Sequence, residues 1–514
     1  MSRDAARRRR IGALLQVAWL AWLAGWLAGG DARAAKPFGL EQVAEKAQAL
    51  ARTPFQDPRG QVPQWLLGIS YDQWRDIRFR PDQALWRGKN SQFEVQFFHP
   101  GLYYDRTVAM NVVDAKGVHP VPFSPSQFDY GKNDFASRVP QNLGYAGFRI
   151  HYPIKTPGYK DEVIVFLGAS YFRAVGRDQA YGLSARGVAL DTALPTGEEF
   201  PFFKEYWLVR PAPAAKEIEI FALLDSPRVT GAYRFVVYPG EETLVDVEVR
   251  LFLRDRIGRL GIAPLTSMFY FGENTLRPPE DFRPEVHDSD GLLLADSTGE
   301  WIWRPLDNPR TLGVSAFRMT NPRGFGLVQR DRDFDHYQDL ETRQDTRPSV
   351  WIAPAGDWGT GSVQLVEIPT PTDIHDNIVT FWVPEKQPSP GDPIEYAYRM
   401  AWFGDEPSRP PGGRVEATRR DRGTFPDAHR FVIDFNGKQL SQLPPETVLR
   451  GVVSTGDGSQ GEILEQHVLF NPATRGWRLT FQVRPKGGDP VELRAFLQRG
   501  QDALTETWSY TLKP

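Results

Sequence analysis

The sequence predicts an all-β protein, a large N-terminal antiparallel β-sandwich followed by a small immunoglobulin-like sandwich. Short apolar runs, many alternating with period two and bounded by Gly, Pro, Asn or Asp, recur over roughly three hundred residues. The 514 residues include 46 Gly and 43 Pro, which suit turns, and 32 Phe, 17 Tyr and 15 Trp, which suit sheet faces. A Pro- and Gly-rich stretch near 406–414 then sets off a last segment with the same rhythm.

In chain order, residues 1–34 read as an export signal. Arg3 and Arg7 to Arg10 form a basic head, Ile11 to Gly30 an apolar stretch, and Ala32-Arg33-Ala34 a cleavage site. A retained anchor is the alternative, because the apolar stretch nearly reaches bilayer length. Leu40, Val43, Ala47 and Leu50 have helical spacing within 39–52, and a second helical turn is expected at 71–76. Strands follow at 93–97, 163–167, 218–222, 233–237 and 244–249, within a sandwich bounded at 35–405. A linker is expected at 406–426. Strands at 430–435, 448–453, 477–483, 491–497 and 507–512 then build the second domain, 427–514.

Charge and composition exclude several functions. Residues 1–34 carry six Arg against two Asp, so their removal takes the net charge from −3 to about −7. A mildly acidic chain is a poor match for nucleic acid or an anionic membrane. With no Cys, disulfides, thiolate nucleophiles and Cys-ligated zinc are excluded. No phosphate loop, His-Glu-x-x-His or nucleophile elbow occurs; Ser184 in 182–187 comes nearest, with Arg186 at the second Gly position. His287, His336 and His375 lack metal-ligand spacing, so neither a metal nor another cofactor is expected.

Carboxylates remain. The loop between the apolar runs of 366–382 carries Asp373, His375 and Asp376; Glu285 and Asp288 follow a Pro-rich loop; Asp331, Asp333, Asp335 and Asp339 cluster in 329–340. Such acids form turns as readily as they catalyse. Glycoside hydrolysis needs one protonated carboxylic acid and one carboxylate, which this set can supply. Tyr171, Phe172, Arg173, Tyr181, Arg186, Trp301, Trp303, Arg304, Tyr337, Arg347, Trp351 and Trp358 offer rings and donors for a glycan groove, or rings for a core.

Longer motifs narrow the choice. Phe166 to Arg173, Tyr181 to Gly187, Leu223 to Ser226, Leu265 to Phe269, His287-Asp288-Ser289, Gly299 to Leu306, Asp376 to Val379 and Glu506 to Tyr510 closely resemble the periplasmic glucans biosynthesis protein G/D family, nearer its G members. The resemblance spans the mature chain. It implies a periplasmic protein of osmoregulated glucan synthesis, with a galactose-mutarotase-type sandwich and an immunoglobulin-like domain. It further implies an inverting endo-β-1,2-glucanase, with Asp376 as general acid and Asp288 as general base through a water relay. The expected partners are linear β-1,2-glucan and the inner-membrane glucan synthase, with a homodimer left open; a non-catalytic glucan-binding or branching accessory is the alternative. Gln344 stands where the family carries Tyr, which puts the strength of hydrolysis in question.

Overall fold

The computed structural model describes residues 38–406, 408–456 and 460–513. The expected export signal lies outside them.

Two large sheets make the N-terminal sandwich. One is 10-stranded and runs, in spatial order, through Glu94–Phe98, Gly147–Tyr152, Asp161–Leu167, Tyr171–Ala174, Ser184–Arg186, Leu260–Ser267, Ile378–Pro384, Thr360–Glu367 and Gly313–Thr320, with Val188–Leu190 beside Leu260–Ser267. The other is 15-stranded, and its centre carries Ser349–Ala355, Ile394–Phe403, Thr243–Leu253 and Val229–Tyr238. Thr243–Leu253 shows why these sequences become strands: every second residue, Val245 to Leu253, is buried and those between are half-exposed. Phe166 and Phe172 of the first sheet each meet Phe235 of the second edge to face at 5.3 Å, which marks the core between them. Trp358 joins this core against Trp382 and Tyr398. The helix Leu40–Ala51 lays Val43, Ala44 and Ala47 on the second sheet, fixed where Thr230 donates to the Ala47 carbonyl at 2.7 Å.

The last segment is a two-sheet sandwich, but it is not strung on a free linker. Arg414–Arg422, inside the expected linker, pairs with His429–Asn436. Its charges hide the alternation, since only Val415 and Thr418 of that strand are buried. The closing strand Thr507–Leu512 also runs parallel to Trp301–Pro305, so the 15-stranded sheet continues from one sandwich into the other.

That junction accounts for three aromatic candidates. Trp301 stacks on Trp351 at 5.4 Å, and Trp303 carries the Arg330 guanidinium 3.6 Å from its ring centre. All three pack into the second core with Trp508 and Phe431. Arg330 is itself fixed, donating to both oxygens of the buried Glu506 at 2.6 and 3.0 Å and to the Val415 carbonyl. These rings join the two sandwiches instead of lining a groove with Asp376. Arg304 lies there too, paired with Glu492 at 2.9 Å and facing Phe317.

Candidate active site

Asp288 and Asp376 lie far apart in sequence but hang from the same short segment, Ser267-Met268-Phe269. On one side, the Asp288 N–H donates to the Met268 carbonyl at 2.8 Å, and Ser289 and Ser267 share a hydroxyl contact at 2.9 Å. On the other, Asn377 is buried and fully engaged. Its N–H donates to the Ser267 carbonyl at 3.0 Å, its amide oxygen accepts from the Phe269 N–H at 2.8 Å, and its amide nitrogen donates to the Phe269 and Ile368 carbonyls at 3.0 Å. This explains the Asp-Asn pairing: Asn377 satisfies the backbone of its neighbours, and Asp376 stands beside it as the free residue.

The rest of the loop is pinned as well. It joins Thr360–Glu367 to Ile378–Pro384, which pair with Glu367 opposite Ile378. Asn308 bonds the Thr370 N–H and carbonyl at 3.0 and 2.9 Å, Tyr270 donates to the Pro371 carbonyl at 2.9 Å, and Asp373 accepts from Arg283 at 2.8 Å. Ile374, His375 and Asp376 form an exposed run at the loop's end, as Ile368, Pro369 and Pro371 are exposed at its start.

The two carboxyls have different surroundings. Asp288 is buried and ion-paired with Arg347. Arg347 also donates through Nε to the Thr342 carbonyl at 3.2 Å and packs against Gly182, where a Cβ would come within 2.9 Å of its own Cβ. Asp376 accepts no hydrogen bond from the described residues. It is exposed to solvent, although protein is packed closely around it. Burial in that surrounding matter is the largest influence and raises its pKa; Asp288 raises it further, against Arg173, Arg186 and Arg347, and the balance stays above the ordinary carboxylate value.

Further neighbours come from adjoining strands. Tyr171 pairs in register with Arg186, whose guanidinium lies 5.6 Å from the Tyr171 ring centre and bonds Glu198 at 2.6 Å. Burial pushes the Tyr171 phenol up, and Asp376 adds to this. Arg173 donates to Ser184 at 2.6 Å, so Ser184 serves as a buried anchor. Tyr171, Arg173, Arg186 and Arg347 therefore lie near enough to Asp376 to interact with its charge, and Arg347 alone among them is paired with Asp288. Tyr181 is turned toward Glu162 and Arg149, and Phe172 lies in the core.

Beside Asp288 is a network whose members Glu285, His287 and Tyr337 the sequence singled out, but whose contacts it did not show. His287 stacks on Phe269 and donates to Gln329 at 3.0 Å and Glu285 at 2.9 Å. Burial opposes its charge, but Glu285, Asp290 and Glu273 outweigh it and push the imidazole up to about 10. Tyr337, buried, holds this network by accepting from the Gln329 amide at 2.7 Å. Gln344 is buried and accepts from Thr342 at 2.5 Å. Glu285, Asp331 and His336 each bring one ligand atom within 4.8 Å of the others, but His336 bonds Asp331 at 2.6 Å and Glu285 bonds His287. No local spacing announces these contacts, because every partner comes from another loop.

A family profile described as "Periplasmic glucan biosynthesis protein, MdoG" matches residues 38–512. The chain is 51% identical over 500 residues, 95% of its own length and 99% of the other's, to "Glucans biosynthesis protein G" of Ralstonia nicotianae. Among solved structures it is similar over 51% of its length, and 40% of the other chain, to the GH36 alpha-galactosidase AgaA of Geobacillus stearothermophilus, at 10% identity and TM-score 0.27. Slr1438 of Synechocystis is matched over 62% of this chain and 94% of that one, at 8% identity and TM-score 0.14. At these scores neither structure bears on the site.

Proposed function

The chain belongs to the MdoG family of periplasmic glucan biosynthesis proteins, and on that premise we propose that it cleaves linear β-1,2-glucan internally with inversion, on glucan delivered by the inner-membrane synthase. Asp376 protonates the glycosidic oxygen as the bond from the anomeric carbon breaks. Water attacks that carbon from the opposite face, and its proton passes through a relay of waters and a substrate hydroxyl to Asp288. The two carboxyls then exchange protons with solvent and the site is reset.

The observation that supports this reading is the contrast between the acids. Asp376 has a raised pKa and no hydrogen bond to hold it as a carboxylate. Asp288 is ion-paired with Arg347, and its charge acts on Asp376. Tyr171, Arg173 and Arg186 supply a ring and donors for the sugar, the guanidiniums also setting how strongly Asp376 holds its proton. Incubation with linear β-1,2-glucan tests this. New reducing ends are expected from the native chain and none from Asp376→Asn of equal thermal stability; intact polymer with the native chain contradicts the reading.

A further inference from the structure

Arg283 lies in neither the loop of Asp376 nor the loop of Arg347, yet it touches both. Its Nε and Nη2 donate to the two oxygens of Asp281 at 3.0 and 2.8 Å, and its Nη1 donates to Asp373 at 2.8 Å and Asp339 at 3.3 Å. The side chain is only 13% exposed. One cation thus faces three carboxylates, each on a different loop or turn. The fork geometry suits guanidinium and cannot be reproduced by an ammonium.

Each contact leads onward. Asp373 immediately precedes the exposed tip that ends in Asp376. Asp339 accepts from the N–H groups of Glu341 and Thr342 at 2.9 and 3.0 Å; the Thr342 carbonyl accepts from Arg347 Nε, and Arg347 pairs with Asp288. We propose that Arg283 is a positioning residue that fixes the spacing of Asp376 and Asp288 by clamping their two supporting loops to the turn at Asp281. This rests on the reading of the site as a hydrolase. Removing the cation leaves Asp281, Asp339 and Asp373 facing one another unpaired, and their repulsion drives the loops apart.

The test compares Arg283→Met and Arg283→Lys with the native protein. Hydrogen exchange at 338–347 and 370–376 is expected to rise together in Arg283→Met. On glucan, its kcat is expected to fall about 10–100-fold, more than KM changes, because a displacement near 1 Å is enough. The alkaline limb of its rate profile moves to higher pH, since loss of a cation and exposure of Asp373 favour the protonated Asp376. Arg283→Lys keeps the limb near its native position and does not restore kcat. Loosening of one loop alone, unchanged kcat and limb in Arg283→Met, or full rescue by Lys would overturn the clamp. If the native protein leaves glucan intact, the hydrolase reading falls, and the exchange measurement still decides the clamp.

Discussion

Asp376 and Asp288 are suspended from the same segment, 267–269, but one stands unbonded on a loop tip and the other is buried in an ion pair. On the proposed reading, the difference gives two carboxyls of one scaffold opposite tasks. Asn377 absorbs the backbone bonding on the first side and leaves its neighbour free; Arg347 absorbs the charge on the second and ties it to a further loop. A residue that bonds nothing can be changed without harming the fold, whereas one that balances a buried charge cannot.

The largest expected effect is that of Asp376→Asn, a fall in kcat of at least about 10³-fold with the melting temperature unchanged. Asp288→Asn is expected to fall about 10²–10³-fold in kcat and also to lose about 1–3 kcal/mol in a denaturant titration, because Arg347 is left without its counter-charge. Equal stability of the two variants would erase the contrast. Asn377→Ala removes three side-chain bonds among buried backbone groups. It should cost about 2–3 kcal/mol and slow turnover roughly 10–100-fold, read from melts and initial rates.

A smaller effect sharpens the electrostatic side. Asp376 must be protonated to donate, so activity is lost as pH rises through its raised pKa. Arg173 pulls that value down, and Arg173→Gln is therefore expected to move the alkaline limb of kcat to higher pH. A limb that stays in place would remove Asp376 as its origin. Smallest of all, Trp301→Ala should leave hydrolysis within about twofold while lowering the melting temperature, as loss of a core ring does.

This last expectation marks what the sequence could convey. The strand pattern was legible wherever one face is buried, as along Thr243–Leu253. It failed at Arg414–Arg422, where only Val415 and Thr418 turn inward. Asp376 and Asp288 were singled out only through long motifs, since acidic loops are ordinary turns by composition. Trp301, Trp303 and Trp351 offered the same ring chemistry as a glycan platform, and only packing against Arg330, Trp508 and Phe431 assigns them to the junction. Arg283 gave no signal, and His287 gave none of the contacts it makes, because their partners come together only when separate loops close on one another.

The central claim is that Asp376 and Asp288 act as donor and acceptor on opposite faces of a β-1,2-linked glucose. Anomeric proton NMR during the first minutes of digestion of linear β-1,2-glucan tests it most directly. New α-configured reducing ends, appearing before mutarotation and absent with Asp376→Asn, are the predicted result; β-configured ends, or unchanged polymer with the native protein, would contradict it.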